Sequence, residues 1–232
     1  MNRNPIDKRI LYEDNHLIVV NKWPGEIVQG DKTGDEPLSE AVKKYLKEKY
    51  NKPGNVFLGV THRLDRPTSG AVIFAKTSKA LERLNKMLRE HQIKKKYWAV
   101  IEGIPQPTEN RLEHYLKKNP KTNKTTVFIR PAQGAKQALL TYKTIKKGEK
   151  YALVEVDLHT GRHHQIRAQL AKTGYPVKGD LKYGAKRSLK NGGIMLHARQ
   201  LEFVHPVKKT QVNIIAPPLT DDWKMIELMD YI

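Results

Sequence analysis

One carboxylate in this sequence lies between two arginines. The segment Thr-His-Arg-Leu-Asp-Arg-Pro-Thr-Ser-Gly spans residues 61–70 and places Asp65 between Arg63 and Arg66. Neighbouring cations favour the ionised form of a carboxyl group, and an ionised, positioned carboxylate can act as a nucleophile or a base. The proline and glycine of the segment predict a loop. The residues alone leave open a surface turn with local ion pairs, which would contribute little stability.

Histidine and arginine cluster in a second segment, Leu-His-Thr-Gly-Arg-His-His-Gln-Ile-Arg-Ala-Gln-Leu, at residues 158–170. We predict a helix over residues 162–172, because two aliphatic residues one turn apart can face the core. His163, His164 and Arg167 would then share its polar face. A metal site is disfavoured, since adjacent histidines diverge on a helix and no His-Glu-x-x-His spacing occurs. The open alternatives are a solvated basic face and an arginine delivered to a buried carboxylate.

A third segment, Lys-Lys-Lys-Tyr-Trp at residues 94–98, combines basic and aromatic side chains. On a strand, Lys95 and Tyr97 share one face, whereas Lys96 and Trp98 share the other. An aromatic ring in such a setting can stack on a base while lysines hold phosphates. An ordinary edge strand protected by lysines is an equally open interpretation.

The chain carries a large excess of positive charge. Its 232 residues include 43 Lys and Arg against 24 Asp and Glu, a formal net charge of +19. Such a field attracts polyanions, and contacts from lysine or arginine to phosphates release condensed counterions, so we expect a nucleic-acid partner. A membrane surface is disfavoured because we find no basic amphipathic helix with a broad apolar face, and no apolar run approaches the length of a membrane span.

The absence of cysteine excludes disulfides, cysteine-based zinc sites and thiol nucleophiles, and it fits a reducing compartment. The N-terminal segment lacks the apolar core of a signal peptide, so we expect a cytoplasmic protein. Neither a Gly-x-Gly-x-x-Gly segment nor a Walker-type lysine motif occurs, which argues against a nucleotide cofactor.

Short strand-like runs dominate the chain, with helices interspersed. Strands are predicted at residues 16–22, 56–60, 71–76, 96–102, 125–130, 137–145, 151–159, 194–203 and 212–215. Helices are predicted at residues 38–50, at 78–91 with Thr77 or Ser78 as cap, at 162–172 with Gly174 after the end, and at 221–231 with Thr220 as cap. This order predicts an α+β fold with a mixed, largely antiparallel sheet and flanking helices, in a single domain over residues 1–232 with its core at about residues 10–217.

These segments together resemble the RluA family of pseudouridine synthases. His-Arg-Leu-Asp-Arg-Pro-Thr-Ser-Gly-Ala-Val-Ile-Phe-Ala-Lys, at residues 62–76, resembles the central motif of that family. Residues 94–103 are similar to its second motif. Residues 159–170, followed by Gly-Tyr-Pro-Val-Lys-Gly-Asp-Leu-Lys-Tyr-Gly, resemble its third, and residues 193–206 resemble its closing leucine–histidine–alanine segment. The resemblance covers nearly the whole chain.

The resemblance implies the pseudouridine synthase fold, with a central catalytic cleft, and an enzyme that isomerises uridine in ribosomal or transfer RNA without a cofactor or metal, as a monomer. It places Asp65 at the catalytic carboxylate, Tyr97 at the ring that stacks on the target base, and Arg167 at the arginine that orients Asp65 and keeps it ionised. Arg63 would fill the place vacated by the flipped base. Further RNA or substrate contacts are expected from His62, Arg66, Lys76 as a rim cation, Lys96, Arg162, Ile166 as an apolar pocket wall, and Leu196.

Two departures from the family pattern bear on the pocket rim and on substrate choice. The first motif, usually lysine–proline–x–glycine with a later histidine, has Trp23 inserted after the lysine and ends in Gln29-Gly30. Gln169 stands where many members carry histidine. Because strand-like sequence begins near Ile10, we expect a stand-alone catalytic domain without the N-terminal RNA-binding domain of many relatives.

Two other function classes remain as alternatives. A non-catalytic RNA-binding or ribosome-assembly protein would also explain the positive charge, and it would not require Asp65. A metal-dependent nuclease using Asp65, Asp157 and Asp180 ranks last, because no paired-carboxylate spacing supports it.

Overall fold

Strands outnumber helices along the chain, as the recurring short apolar runs predict. The computed structural model describes residues 4–31 and 33–232. Its strands are β1 (Ile10–Glu13), β2 (Leu17–Lys22), β3 (Gly59–Val60), β4 (Ser69–Ala75), β5 (Lys94–Glu102), β6 (Glu109–Asn119), β7 (Lys124–Phe128), β8 (Lys136–Lys147), β9 (Tyr151–Leu158), β10 (Leu196–Val204), β11 (Gln211–Ile215) and β12 (Asp230–Tyr231). The α-helices are α1 (Leu38–Lys49), α2 (Ser78–Arg89) and α3 (Gln165–Lys172), and short 3-10 helices cover Ile6–Arg9, Leu181–Tyr183 and Asp221–Leu228. The predicted α+β class is confirmed.

The chain divides into two compact units. The first unit comprises Met1–Ile93 and Ala198–Pro218, and the second unit comprises Lys94–His197 and Leu219–Ile232. The expected single catalytic domain over residues 1–232 stays a prediction. None of the helices within the described residues is both long and apolar enough to cross a membrane.

The first unit is built around two completely buried strands. Every residue of β2 and β4 is buried, and these strands pair antiparallel, with Leu17 opposite Ala75. Nearly unbroken apolar sequence accounts for this, because both faces of each strand are covered. β1 pairs with β2, β3 with β4, and β10 with β11, all antiparallel. The α2 helix begins as predicted, with the Thr77 side chain accepting a hydrogen bond from the Ala80 N–H at 3.2 Å.

The second unit is an antiparallel meander in the strand order β5-β9-β8-β6-β7, with β12 added to β8. The alternating sequences of β5, β8 and β9 predict their strands, because one face of each contributes to the core. The sequence pattern did not predict β6. Only Leu112 and Leu116 are buried in that strand, so its alternation is weak, and pairing with β7 and β8 imposes its extended form.

Two predicted helices differ from the structure. The helix expected over residues 162–172 begins only at Gln165, because His164 adopts a left-handed backbone conformation with φ +51°. Its end agrees with the prediction, with Gly174 in a left-handed conformation after Thr173. The C-terminal helix expected over residues 221–231 is a 3-10 helix over Asp221–Leu228 followed by β12, which pairs with the end of β8.

Candidate active site

Asp65 lies in the loop directly before β4, in the first unit. The loop closes on itself through a hydrogen bond from the Thr68 N–H to the Asp65 carbonyl oxygen at 3.0 Å. Asp65 is half-buried, whereas the neighbouring Leu64 is buried and anchors the loop. Gly70, the second residue of β4, has a left-handed conformation with φ +114°, and a Cβ there would lie 2.4 Å from the Ala198 carbonyl oxygen. A glycine is therefore required where the chain passes from this loop into β4.

A buried lysine from the first motif holds the same loop. Lys22 is 0% exposed, and its ammonium donates hydrogen bonds to the carbonyl oxygens of Trp23 at 2.9 Å, Glu26 at 2.8 Å and Arg66 at 3.1 Å. The Arg66 carbonyl also accepts from the Gly25 N–H at 2.7 Å. The first motif thus fixes the backbone beside Asp65, because both hydrogen bonds end on the residue that follows it.

The other predicted RNA-contacting residues of the first unit have different surroundings. His62 accepts a hydrogen bond at Nε2 from the Ile73 N–H at 3.1 Å, which holds its ring against β4. Arg63 is exposed, and Arg66 is ion-paired with the Asp35 carboxylate at 2.6 Å on the surface.

Lys76 lies at the opposite end of β4 from Asp65, a separation of roughly 20 Å for a seven-residue strand. Its ammonium is 2.8 Å from Glu13 Oε1, and both side chains are 8% exposed. Burial opposes ionisation of Glu13, but hydrogen bonds from Lys49 and Lys76 overcome it and lower the pKa of Glu13 to about 2. The charge of Lys76 is therefore already compensated within the first unit.

Tyr97 and Lys96 lie next to each other on β5 in the second unit and point to opposite faces. Tyr97 is 7% exposed. The Lys96 ammonium is 2.6 Å from Glu155 Oε1 and 3.9 Å from Asp157 Oδ1, both on the paired strand β9. Lys96 therefore has acidic neighbours within its own sheet.

Arg167 is buried and forms a bidentate ion pair inside the second unit. Its Nε is 2.6 Å from Asp180 Oδ2 and its Nη2 is 2.9 Å from Asp180 Oδ1. The two side chains are 5% and 1% exposed. The guanidinium also lies over the Tyr183 ring, with 5.1 Å from its central carbon to the ring centroid. Parallel hydrogen bonds of this kind fix the plane of a guanidinium as well as its position.

A network of polar side chains surrounds this pair. The Tyr183 hydroxyl accepts a hydrogen bond from the Thr125 N–H at 2.8 Å and lies 2.9 Å from His164 Nδ1. Burial, reinforced by the charge of Arg167, lowers the pKa of His164 to about 2. The imidazole is therefore neutral, and its Nδ1 can accept a hydrogen bond from the Tyr183 hydroxyl. His163 stacks on His164 with 3.8 Å between ring centroids.

The prediction that His163, His164 and Arg167 share a polar face of the helix is wrong, and so is the alternative of a solvated basic face. His164 and Arg167 are buried, and both histidines precede the helix. Within the described residues, no three side chains of the His, Asp or Glu type are grouped so as to hold a metal ion. Both oxygens of Asp180 bind Arg167, so the nuclease alternative gains no support from this carboxylate.

The remaining predicted contacts of the second unit are two apolar residues and one arginine. Ile166 and Leu196 are each 4% exposed. Arg162 is exposed, and its Nε donates to the Gln137 carbonyl oxygen at 2.9 Å. Its own N–H donates to Gln165 Oε1 at 2.9 Å, so the backbone of the turn before α3 is fixed.

Comparison with known proteins identifies the family. The family model described as RNA pseudouridylate synthase matches residues 16–172, which is more than half of the chain and includes Asp65, Tyr97 and Arg167. The chain belongs to the RNA pseudouridylate synthase family.

Named relatives of this pseudouridylate synthase family act on more than one RNA class. The chain is 36% identical over 216 residues to the ribosomal large subunit pseudouridine synthase C of Buchnera aphidicola subsp. Baizongia pistaciae, covering 90% of this chain and 66% of that protein. It thus spans just under two thirds of that relative. It is 28% identical over 240 residues to the tRNA pseudouridine synthase C of Vibrio parahaemolyticus, covering 96% of this chain and 94% of that protein.

The fold also agrees with a solved structure of the family. The structure titled human RNA pseudouridylate synthase domain containing 4 superposes with a TM-score of 0.78 at 24% identity, over 94% of this chain and 91% of that one. The pseudouridine synthase fold implied by the sequence motifs is therefore confirmed.

The Gln169 side chain, which departs from the family pattern, lies inside the second unit. Its side chain is 0% exposed, and its Nε2 lies 3.1 Å from the Leu112 carbonyl oxygen, 3.3 Å from that of Ala138 and 3.0 Å from His114 Nδ1. Gln169 therefore ties α3 to β6 and β8 rather than forming an exposed rim. In the altered first motif, Trp23 is buried and Gln29 is exposed.

Sequence reasoning missed two residues that position the site. The sequence places Lys22 in the departing first motif and at the end of the buried strand predicted at residues 16–22, and a lysine in a buried strand is a signal that its ammonium is bound internally. Asp180 was considered only as a nuclease ligand. Its position in the Gly-Asp-Leu-Lys-Tyr-Gly segment, which belongs to the third motif, could have indicated a partner for Arg167.

Proposed function

We propose that the chain isomerises specific uridines in structured ribosomal or transfer RNA to pseudouridine, with Asp65 as the catalytic carboxylate. The observation that carries this proposal is the family membership, together with Asp65 in a loop that Lys22 fixes against the first motif. The names of relatives that modify large-subunit ribosomal RNA and transfer RNA support both RNA classes.

The reaction conserves every atom of the nucleotide. The bond between N1 of uracil and C1′ of the ribose breaks, a bond between C5 and C1′ forms, C5 loses a proton and N1 gains one. The target uridine must first leave the RNA stack, at a cost of a few kcal/mol. Attack of Asp65 on the uracil ring and attack on the sugar both require an ionised carboxylate. No electron transfer occurs, so the proposal includes no redox cofactor or metal.

Tyr97 and Arg167 have proposed roles in the same reaction. Tyr97 stacks on the target uracil and Arg167 orients Asp65, as the family motifs imply. The burial of Tyr97 and the bidentate hold of Asp180 on Arg167 support these roles, because a preorganised group loses little freedom in the reaction. Arg63 is exposed and suits the role of filling the place of the flipped base.

The proposed lining of the uracil site is apolar. Ile166 and Leu196 are the candidates, and their burial supports that role. His62, Arg66 and Arg162 are proposed contacts to the RNA strand near the site. We leave Lys76 out of the proposed site, because Glu13 already compensates its charge at the far end of β4.

Mapping of pseudouridine in the ribosomal and transfer RNA of cells with and without the protein tests this function. We expect at least one uridine to lose its modification when the protein is absent and to regain it with the wild-type gene. An Asp65→Ala gene should not restore it. An unchanged map, or full restoration by Asp65→Ala, would contradict the proposal.

A non-catalytic RNA-binding protein is the second candidate, favoured only by the net charge of +19. It predicts normal growth and normal ribosomes with Asp65→Ala. We further propose a cytoplasmic location and a monomeric state; the lack of cysteine fits the reducing compartment. Cell fractionation and light scattering of the purified chain test these two points.

A further inference from the structure

Lys95 is a half-buried lysine on β5 whose charge has no partner among the described residues. It lies between Lys94, which is exposed, and Lys96, which Glu155 and Asp157 compensate. Burial lowers the pKa of the Lys95 ammonium, and no carboxylate opposes that effect. A partly desolvated cation without an anion is unfavourable, so a charged lysine at this position indicates a ligand that supplies negative charge.

The Lys95 ammonium lies beside Gly161, which has no side chain, in a turn held by hydrogen bonds. Its Nζ is 3.7 Å from the position that a Cβ on Gly161 would occupy. The turn is fixed by Gln165, whose Oε1 accepts from the Thr160 hydroxyl at 2.8 Å and from the Arg162 N–H at 2.9 Å. Gly161 itself is exposed, so an anion from solution can reach the turn that lies beside the ammonium.

Strand geometry relates Lys95 to Tyr97. The two residues alternate with Lys96 and so share one face of β5, about 7 Å apart along the strand. If Tyr97 stacks on a base, a phosphate of the same RNA segment can reach Lys95 without leaving that face. Lys96 points to the other face and is ion-paired, so it does not suit this task.

We infer that Lys95, rather than Lys96, binds an RNA phosphate next to the target uridine, beside the exposed Gly161. The inference deepens the proposed function and rests on it, because Tyr97 is assigned there as the base-stacking residue. One charge-assisted contact from an ammonium to a phosphate gives the missing compensation and releases one condensed counterion.

Salt-dependent RNA binding tests the inference with the full chain. Binding of bulk transfer RNA and of purified ribosomal RNA is measured against potassium chloride concentration for wild type, Lys95→Met, Lys95→Arg and Lys147→Met. The plot of log affinity against log salt concentration has a negative slope. For Lys95→Met the magnitude of this slope should decrease by about 0.7 to 0.9, the value for one phosphate contact. Lys95→Arg should keep the wild-type slope. Lys147 is exposed at the end of β8 and serves as the charge-matched control, with a smaller change expected.

A second pair of variants supplies the anion from the protein itself. Gly161→Asp places a carboxylate beside Lys95, whereas Gly161→Asn places a neutral group of the same shape there. Gly161→Asp should lower the salt slope as Lys95→Met does, and Gly161→Asn should lower it less. Equal slopes for the two Gly161 variants, with an unchanged slope for Lys95→Met, would overturn the inference.

Protection of lysines from an amine-directed reagent separates this inference from the proposed function. Lys95 should be labelled in the free protein and protected by RNA, while Lys147 is labelled equally in both states. If wild type forms no pseudouridine yet RNA protects Lys95, the proposed function fails and the phosphate site stands. Labelling of Lys95 at the same rate with and without RNA would overturn the site, whatever the activity.

Discussion

The ion pair between Arg167 and Asp180 should be a main determinant of stability in the second unit. Both side chains are almost wholly inaccessible, at 5% and 1% exposed, and two hydrogen bonds of 2.6 and 2.9 Å join them. Removing one partner of a buried pair leaves an uncompensated charge and costs about 3–5 kcal/mol. Asp180→Asn keeps the shape of the side chain but removes its charge. We expect the free energy of unfolding to fall by about 3 kcal/mol.

Urea unfolding followed by circular dichroism measures this change. The control is Asp221→Asn. Asp221 Oδ1 lies 2.8 Å from the Lys224 ammonium, but these side chains are 88% and 71% exposed. Exposed pairs contribute about 0–1 kcal/mol, so this variant should unfold nearly as wild type does. The double variant Asp180→Asn with Arg167→Met should recover much of the loss, because no lone charge remains buried.

Two results would refute this role of the ion pair. Asp180→Asn could unfold within about 1 kcal/mol of wild type, as expected only of an exposed pair. Alternatively, the double variant could lose the sum of the two single losses, which would mean that the residues do not interact. Under conditions where Asp180→Asn remains folded, pseudouridine formation should also fall, because Arg167 would lose the group that fixes its plane.

Three further predictions concern the positioning residues. Lys22→Met removes a buried donor from three main-chain carbonyl oxygens; those of Trp23 and Arg66 keep an N–H donor, whereas that of Glu26 loses the Lys22 ammonium at a cost of about 1–3 kcal/mol. Melting temperature and activity should both fall, and an unchanged melting temperature would contradict the anchoring role. In Gly70→Ala the new Cβ would lie 2.4 Å from the Ala198 carbonyl oxygen, so this variant should not fold and should be insoluble in a solubility assay. Gly30→Ala, whose Cβ would have no atom within 4 Å, should be as soluble as wild type. Folding lowers the pKa of His164 from 6.5 to about 2, so the free energy of unfolding should decrease as the pH drops below 6.5, by up to about 1.4 kcal/mol per pH unit. In acid unfolding, His164→Gln should show a smaller decrease over the same pH range.

Local sequence predicts those parts of the fold whose signals are local. Buried β2 and β4 follow from nearly unbroken apolar runs, and the start of α2 follows from the capping side chain of Thr77. The start of α3 does not follow, because local periodicity gives no sign of the left-handed conformation at His164, whose ring contacts Tyr183, 19 residues further along the chain. Helical periodicity continues through this turn, so the pattern extends the predicted helix by three residues.

The sequence likewise predicts only part of the candidate site. The motifs identify Asp65, Tyr97 and Arg167, since each lies in a short segment characteristic of the family. They do not reveal that Asp180 holds Arg167 or that Lys22 binds the Arg66 carbonyl, because these contacts join segments that are distant in sequence. The charge pattern also treats neighbouring lysines as equivalent, whereas Glu155 and Asp157 compensate Lys96 across the sheet and no carboxylate among the described residues does so for Lys95.

Release of tritium from RNA tests the central claim most directly. The purified chain is incubated with unmodified ribosomal and transfer RNA whose uridines are tritiated at C5. Formation of the bond between C5 and the ribose must displace this hydrogen. We predict tritium release by wild type and none above background by Asp65→Asn, with both proteins folded by circular dichroism. Release by Asp65→Asn at the wild-type rate would contradict the assignment of Asp65 as the catalytic carboxylate.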